Sequence, residues 1–352
     1  MIDTEAQLES FLTKLRAADW VALDTEADSL HAYPEKVCLI QISIEGHDRL
    51  VDPLSKINLD PLLDALNAHE LIVHGADYDL RLLCKHHEFI PSAIFDTMVA
   101  ARLLGERQFG LSSLLEKFLG VKLDKGSQKA DWAQRPLTER MEKYARNDTH
   151  YLKPLSDKLR EELAAKKRLE WHRESCARLI DESTQPHVTD LDSVWRIKGS
   201  HVLSRAALAV LREMWQWREE EAVRASRPPY FVLKHETLVD VAKAAASNHS
   251  VENLLPHKIS PRRKESLSRA IQTGLALSAE KHPEILRKNF HRPTEAEFRR
   301  FRELEKQRNA RAHALGIDPS LIASKQTLGE LARDWDAFIP NLMRWQRALL
   351  SD

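Results

Sequence analysis

The chain has 352 residues, of which 43% are hydrophobic, so it is long enough for two or three domains with packed cores. Three scattered cysteines, a polar N-terminus and the absence of any apolar run near ~18 residues exclude a disulfide framework, a signal peptide and a membrane span, and predict a cytoplasmic protein. Residues 1–100 carry 7 Lys and Arg against 18 Asp and Glu, whereas residues 101–352 carry 46 against 35. This distribution favours a metal-binding region in residues 1–100 and surfaces that meet a polyanion in the rest of the chain.

The first half of the chain alternates strand and helix patterns. Apolar residues at helical spacing predict a helix over residues 4–16, and further helices are expected over 59–68 and from Asp77 onward. Strand patterns cover 20–24, 37–44, 49–52, 71–75 and 93–95, and the second and third of these flank a hairpin turn. Residues 97–183 are predicted to be helical throughout. This order predicts an α/β domain with a mixed sheet.

The second half is predicted to be all-helical and to contain a repeat. A linker is expected within 184–200, which are mostly polar and contain Pro186. A shift of 90 residues aligns Arg218 with Arg308 and Pro229 with Pro319 without a gap. Two helical domains of similar build are therefore expected, over roughly 200–280 and 290–352, unless amphipathic helices match by chance.

The first acidic cluster closes the strand that begins at residue 20. Asp24 and Glu26 are two residues apart, and alternate residues of an extended chain share a face. Two like charges on one face repel each other, so a divalent cation is the natural compensation. A solvated acidic loop would also explain this pair.

Two later clusters carry similar chemistry. Asp79 lies in the first turn of a helix after strand 71–75, where a carboxylate also favours the helix dipole, and both strands are expected to end at the same edge of the sheet. Tyr144 and Asp148 are four residues apart on an otherwise apolar helix face. A buried Asp there requires a partner or a metal ion, although a simple Tyr–Asp hydrogen bond would also suffice.

Taken together, the three clusters resemble the DEDD exonuclease superfamily in its tyrosine form, DEDDy. The stretches VALDTEAD, HGADYDLRLL and YARNDTHYL look most like the ribonuclease D family, and the resemblance covers residues ~18–165. The histidine form would place a histidine five residues before the last Asp, where this chain has Lys143. The resemblance implies an α/β, RNase H-like exonuclease domain.

The resemblance also implies the chemistry of the site. Asp24, Glu26, Asp79, Tyr144 and Asp148 would be catalytic, and the four acids would hold two divalent metal ions, Mg²⁺ or Mn²⁺, with Zn²⁺ possible as an alternative. Asp24, Glu26 and Asp148 would hold the ion that activates water, Asp24 would bridge to the second ion, and Asp79 would reach that ion through waters. Tyr144 would orient the attacking water.

The helical half resembles HRDC domains, which are nucleic-acid-binding modules. Residues 217–245 carry this resemblance, and residues 298–350 look like a second, more divergent copy. The expected organisation is an exonuclease domain over 1–190, a first HRDC domain over 198–282 and a divergent HRDC-like domain over 288–352. This layout implies a 3′–5′ exoribonuclease that trims single-stranded RNA 3′ ends, including those of tRNA precursors, to nucleoside 5′-monophosphates, and acts as a monomer.

Substrate contacts are harder to read from the sequence. His74 and the family-like segment 126–137, with Gln128, Trp132 and Arg135, are the candidate substrate-binding residues, although Trp132 is expected to pack more readily than to stack on a base. Two alternatives stay open. One is a DNA 3′–5′ exonuclease of the Werner type, and the other is an RNA-binding scaffold with an inactive nuclease domain, which the complete set of acids disfavours.

Overall fold

The computed structural model describes residues 1–123, 126–185, 190–286 and 291–351. Its strands are β1 (Val21–Ala27), β2 (Val37–Ile44), β3 (His47–Val51), β4 (Glu70–Val73) and β5 (Ala93–Asp96). The helices of the first half are α1 (Glu5–Arg16), α2 (Asp60–Asn67), α3 (Asp77–His87), α4 (Thr97–Leu104), α5 (Leu111–Leu119), α6 (Glu139–His150), α7 (Leu152–Ala165) and α8 (Leu169–Thr184). Those of the second half are α9 (Arg205–Ala225), α10 (Pro229–Val232), α11 (His235–Ala246), α12 (Pro261–Leu275), α13 (Glu295–Leu315), α14 (Pro319–Ile322), α15 (Lys325–Arg333), α16 (Trp335–Phe338) and α17 (Arg344–Ser351).

The five strands form one mixed sheet in the order β3-β2-β1-β4-β5. Strand β2 is antiparallel to both β1 and β3, whereas β4 is parallel to both β1 and β5. The α/β fold with a mixed sheet is therefore confirmed. Because β1 and β4 are parallel neighbours, the residues that follow them meet at one edge of the sheet.

Local sequence explains why the central strands form where they do. Every residue of β2, VCLIQISI, is buried, as expected for a strand covered on both faces. The hairpin from β2 to β3 turns through Glu45 and Gly46, and Gly46 has a φ of +68°, which a residue without a Cβ adopts freely. Helix α1 begins after Thr4, whose side chain accepts a hydrogen bond from the Gln7 amide.

The region after β5 differs from the expectation of continuous helix. Helices α4 and α5 are separated by residues 105–110, and the described residues between α5 and α6 contain no helix. Helix α6 begins at Glu139, after Pro136, with Thr138 as its N-cap. The Thr138 hydroxyl accepts a hydrogen bond from the Met141 amide, whereas proline has no side-chain acceptor that could cap a helix in this way.

The chain divides into two compact units. The first contains the described residues of 1–27, 37–185 and 291–351, and the second contains 28–36 and 190–286. In the first unit, the C-terminal helices share a core with α4 and α7, in which Leu103, Leu159 and Leu331 are all buried. In the second unit, α9, α11 and α12 pack around a core that includes Leu211 and Leu267.

The predicted repeat is visible in the placement of the helices. Helices α9 and α13 both have 21 residues, and Glu295 lies 90 residues after Arg205. Helices α10 and α14 begin at Pro229 and Pro319, which are also 90 residues apart in the sequence. Helices α11 and α15 begin at His235 and Lys325, with the same separation of 90 residues. The aligned residues Arg218 and Arg308 are both buried.

None of the described helices is both long enough and apolar enough to cross a membrane.

Candidate active site

Strand β1 carries the first two acids of the site. The shorter predicted strand placed Asp24 and Glu26 at its tip. The observed strand continues to Ala27, so both residues lie within it. Both residues pair with β2, opposite Gln41 and Leu39. Their alternate positions place the two half-buried carboxylates on the same face of a fixed strand, as predicted.

The third acid, Asp79, lies in the first turn of α3 and reaches back to β1. Its Oδ1 accepts a hydrogen bond from the Thr25 amide at 3.1 Å and another from the Thr25 hydroxyl. Thr25 stands between the two acids of β1, so these bonds fix Asp79 beside them. Sequence reasoning missed Thr25, because a threonine in a strand carries no signal for such a contact.

A further acid outside the predicted set, Asp96, fixes the turn that leads into α3. This fully buried carboxylate accepts hydrogen bonds from the amides of Gly75, Ala76, Met98 and Val99, at 2.8–3.1 Å. It therefore caps α4 and ties the turn before α3 to the same point. The position of Asp96 directly before an apolar helix is a capping signal that would have identified it.

Helix α6 brings Tyr144 and Asp148 to the site. Its buried face contains Met141, Ala145 and Thr149, and the Thr149 hydroxyl lies 2.7 Å from that of Ser43 in β2. The Tyr144 hydroxyl donates a hydrogen bond to the Asp148 carboxylate. The predicted neighbours at i and i+4 thus share one face of the helix.

Three of the four predicted acids form a compact cluster. One carboxylate oxygen from each of Asp24, Glu26 and Asp148 lies within 4.8 Å of the others. Asp79 is outside this group because Thr25 holds its carboxylate. All four line a cavity of about 550 Å³, together with Tyr144.

The electrostatics of this cluster are dominated by burial and by repulsion between the acids. Burial, followed by the charge of Asp79, raises the pKa of Asp24 well above its usual range. Burial and the charge of Asp148 raise the pKa of Glu26 to about 9. Burial also raises the pKa of Asp148 to about 7 and that of Asp79 to about 6, despite the hydrogen bonds from Tyr144 and Thr25. The protein alone therefore disfavours four negative charges here.

This donor set suits divalent cations. Carboxylate oxygens are the ligands that Mg²⁺ and Mn²⁺ prefer, and Asp24, Glu26 and Asp148 offer three of them within the reach of one ion. No lysine or arginine is among the described residues that line the cavity, so no side-chain cation there compensates the acids. An ion bound among them would remove the repulsion that raises their pKa values.

Two of the predicted substrate-binding residues line the cavity. His74 does so, and its Nδ1 lies 2.9 Å from the Thr97 hydroxyl, while burial lowers its pKa. Gln128 also lines the cavity, where its side-chain amide donates a hydrogen bond to the Tyr144 hydroxyl.

The other two candidate substrate contacts, Trp132 and Arg135, lie in packed or ion-paired surroundings. Trp132 is 1% exposed and packs beside Tyr144 with ring centroids 6.0 Å apart, so its faces are not available to a base. Arg135 binds both carboxylate oxygens of Asp52, at 2.6 and 2.7 Å, and donates to the carbonyl groups of Cys38 and Trp132. Since these bonds occupy its guanidinium, Arg135 braces the segment before α6 and does not face the substrate.

The structure adds lining residues that the sequence did not reveal. The start of α5 contributes Leu111, Ser112 and Ser113, and the first turn of α3 contributes Tyr78. Gly110, directly before α5, has the extended backbone of an N-cap without a side chain. The sequence GLSSLL would have signalled the start of a helix but not its approach to the acids.

Comparisons with known proteins agree with this geometry. Residues 1–164 match the 3′–5′ exonuclease family, and residues 207–265 match the HRDC domain. A ribonuclease D of Zymomonas mobilis is 36% identical over 69% of this chain and 63% of its own length, slightly under two thirds. A ribonuclease D of Gluconacetobacter diazotrophicus is 29% identical over 100% of this chain and 91% of its own length.

Solved structures extend the similarity to the whole fold. The RNase D of Escherichia coli, described as an exoribonuclease involved in structured RNA processing, superposes with a TM-score of 0.77 at 25% identity, over 100% of this chain and 96% of its own. A protein from Bifidobacterium adolescentis superposes with a TM-score of 0.83 at 25% identity, over 99% and 94% of the two chains.

Fold and site together define a protein in which a 3′–5′ exonuclease domain with a carboxylate-rich cavity precedes a helical HRDC domain. The chain is similar to ribonuclease D proteins over its whole length, and its residues 1–164 match the 3′–5′ exonuclease family.

Proposed function

We propose that this chain is a metal-dependent 3′–5′ exoribonuclease that hydrolyses RNA 3′ ends to nucleoside 5′-monophosphates. The observation that carries this proposal is the convergence of Asp24, Glu26 and Asp148 within 4.8 Å, in one cavity with Asp79 and Tyr144. Single-stranded 3′ ends of structured RNA, tRNA precursors among them, are the proposed substrates, since a similar protein acts in structured RNA processing. The proposed state is a monomer.

The acids are proposed to hold two divalent ions, either Mg²⁺ or Mn²⁺. Asp24, Glu26 and Asp148 would bind the first, Asp24 would also face the second, and Asp79, which Thr25 restrains, would complete the second site through water. When bound, the two ions supply Lewis acidity toward the attacking water and stabilise the charge on the leaving 3′ oxygen.

Tyr144 is proposed to position the attacking water. Burial and the nearby Asp148 charge raise its pKa above the ordinary value near 10, so the phenol stays protonated at neutral pH. A protonated phenol is not a general base, but its oxygen accepts a hydrogen bond and its O–H donates one. Gln128 donates to that oxygen and Asp148 accepts from the O–H, so Tyr144 is held in one orientation.

The proposed domain organisation assigns 1–190 to the exonuclease domain, 198–282 to the first HRDC domain and 288–352 to a divergent HRDC-like domain. The repeat of α9–α11 in α13–α15 supports the last assignment. The basic stretch 257–264 is a proposed phosphate contact, although Arg262 and Arg263 both form ion pairs with Glu221, which reduces the charge they offer.

Asp24→Asn tests the site. The substitution removes one negative charge from the cluster with little change in shape, so we expect hydrolysis to fall by about 100-fold or more while folding and RNA binding persist. Asp77→Asn is the matched control, because Asp77 is an exposed acid of the same helix as Asp79, pairs with Arg81 and does not line the cavity.

The assay is a time course with matched 3′-labelled and 5′-labelled RNA and DNA, in Mg²⁺, Mn²⁺ or EDTA. Mononucleotides released from the 3′ end of RNA, only with metal, are the expected result. Equal action on DNA would favour a nuclease of the Werner type, and internal cuts would indicate an endonuclease. Wild-type turnover by Asp24→Asn in Mg²⁺ would refute the assignment of the acids.

A further inference from the structure

Tyr78 is an exposed aromatic residue inside the catalytic cavity. Its side chain is 39% exposed although it directly precedes Asp79, whose carboxylate is held at the site. An exposed aromatic side chain forgoes the free energy that its burial would contribute, and a ligand that covers it can recover part of that energy. Tyr78 keeps this exposure while it lines the cavity together with the acids.

We propose that Tyr78 stacks on the base of the 3′-terminal nucleotide and thereby positions the scissile phosphate over the acids. The proposal rests on the exoribonuclease function above and deepens it. An exonuclease must separate the terminal base from its neighbour, and an aromatic face replaces the stacking that the base loses. Every base has a π-face, so this contact accepts any terminal nucleotide.

Other side chains in the cavity are less suited to this task. Tyr144 has its hydroxyl bonded to both Gln128 and Asp148, which ties its ring orientation to the water-positioning role. The imidazole of His74 is bonded to Thr97 and largely buried. The remaining lining includes the carboxylates and the hydroxyls of Ser112 and Ser113, which offer no flat apolar surface.

The direct test measures stacking without catalysis. RNA with 2-aminopurine at its 3′ terminus, whose fluorescence is quenched by aromatic stacking, is titrated with the Asp24→Asn protein in Mg²⁺. We expect the bound 2-aminopurine to fluoresce less with Tyr78 present than in Tyr78→Leu, which shows quenching by the ring, and we expect Tyr78→Phe to restore that quenching. The dissociation constant should rise by about 5- to 100-fold for Tyr78→Leu. Phe109→Leu is the matched control, since Phe109 is 38% exposed near α5 but does not line the cavity.

A second measurement uses the hydrolytic reaction. With an RNA whose terminal nucleotide is abasic, Tyr78→Leu should cost no more than a small fraction of its effect on intact RNA, because the ring has lost its partner. A purine end should also bind more tightly than a pyrimidine end in the wild type, and that preference should shrink in Tyr78→Leu.

Unchanged quenching in Tyr78→Leu, or an equal loss on intact and abasic RNA, would overturn the stacking role. The fluorescence result is decisive even if the wild type releases no nucleotides, an outcome that would instead reject the proposed exonuclease function. The two failures are therefore distinguishable.

Discussion

Two of the side chains proposed to be catalytic, Asp79 and Tyr144, are held by neighbours that have no proposed part in the reaction. Thr25 holds Asp79, Asp96 holds the turn before α3, and Gln128 holds Tyr144. Such support fixes a carboxylate or a phenol to within a fraction of an ångström, which metal binding and water positioning both require. The consequence is a set of half-buried acids that repel each other until a cation binds.

Tyr144→Phe separates positioning from metal binding. The variant keeps the ring that packs on Trp132 but loses the oxygen that Gln128 and Asp148 contact, so we expect single-turnover hydrolysis to fall by about 100-fold while Mn²⁺ affinity changes less than about threefold. Rapid-quench kinetics and titration calorimetry with Mn²⁺ would measure the two quantities.

Tyr151→Phe is the control, because Tyr151 lies just beyond α6 and packs edge-on against His150, away from the acids. If Tyr144→Phe lost metal affinity and rate to the same degree, Tyr144 would be a structural support for Asp148 instead.

At the scale of elements, the site is made by β1, the start of α3 and one face of α6. In the metal-free protein, the raised pKa values mean that the folded state binds protons more tightly than the unfolded chain, so stability falls as the pH rises. The loss begins above the ordinary carboxyl values near 4 and continues through about 6 for Asp79, about 7 for Asp148 and about 9 for Glu26.

We therefore expect the EDTA-treated protein to lose stability between pH 7 and pH 9, by roughly 1–2 kcal/mol from Glu26 alone. The histidines with lowered pKa values act below about pH 6.5 and so do not contribute in this window. Thermal melts should show the decline, and Mg²⁺ should offset it because the ion binds the deprotonated folded state.

Glu26→Gln is the matched variant for this experiment. It removes the carboxyl group whose pKa of about 9 lies at the upper end of this window, so the stability of the variant should depend less on pH between pH 7 and pH 9. A wild-type melting temperature that is flat from pH 7 to pH 9 in EDTA would contradict the view that the acids are strained without metal.

The sequence predicted these elements better than their contacts. The shared face of Asp24 and Glu26 follows from the two-residue period of a strand, and that of Tyr144 and Asp148 from helical spacing, so both were accessible from local pattern. Trp132 packs, which is the alternative that the sequence favoured, whereas the surroundings of Arg135 are set by a residue far along the chain: Arg135 lies 83 residues from Asp52. The same holds for Asp79, which meets Thr25 across 54 residues.

At the scale of the whole molecule, the C-terminal helices α13–α17 belong to the first compact unit, which also contains the sheet and the acids and is called the exonuclease unit below. Helices α9–α12 form the core of the second unit. Within the exonuclease unit, the buried Arg168 donates to the carbonyl of Leu103 at the end of α4 and to that of Leu315 at the end of α13, each at 2.6 Å. Nearby, Trp171 stacks on Trp345 with ring centroids 5.0 Å apart. The last helices thus complete the core behind α4, which Asp96 connects to the site.

Arg168→Ala should therefore destabilise the whole exonuclease unit, including the C-terminal helices that belong to it. The substitution leaves one buried and one part-buried helix-end carbonyl without donors, so we expect a loss of about 2–4 kcal/mol in the free energy of unfolding. Arg173→Ala is the control in the same region, because Arg173 is exposed, and it should cost less than about 0.5 kcal/mol. Urea unfolding followed by tryptophan fluorescence would compare the two variants. If Arg168→Ala lowered the free energy of unfolding no more than Arg173→Ala does, the contact between the C-terminal helices and α4 would contribute little to stability. The core that they share with α4 would then contribute little to the position of the acids.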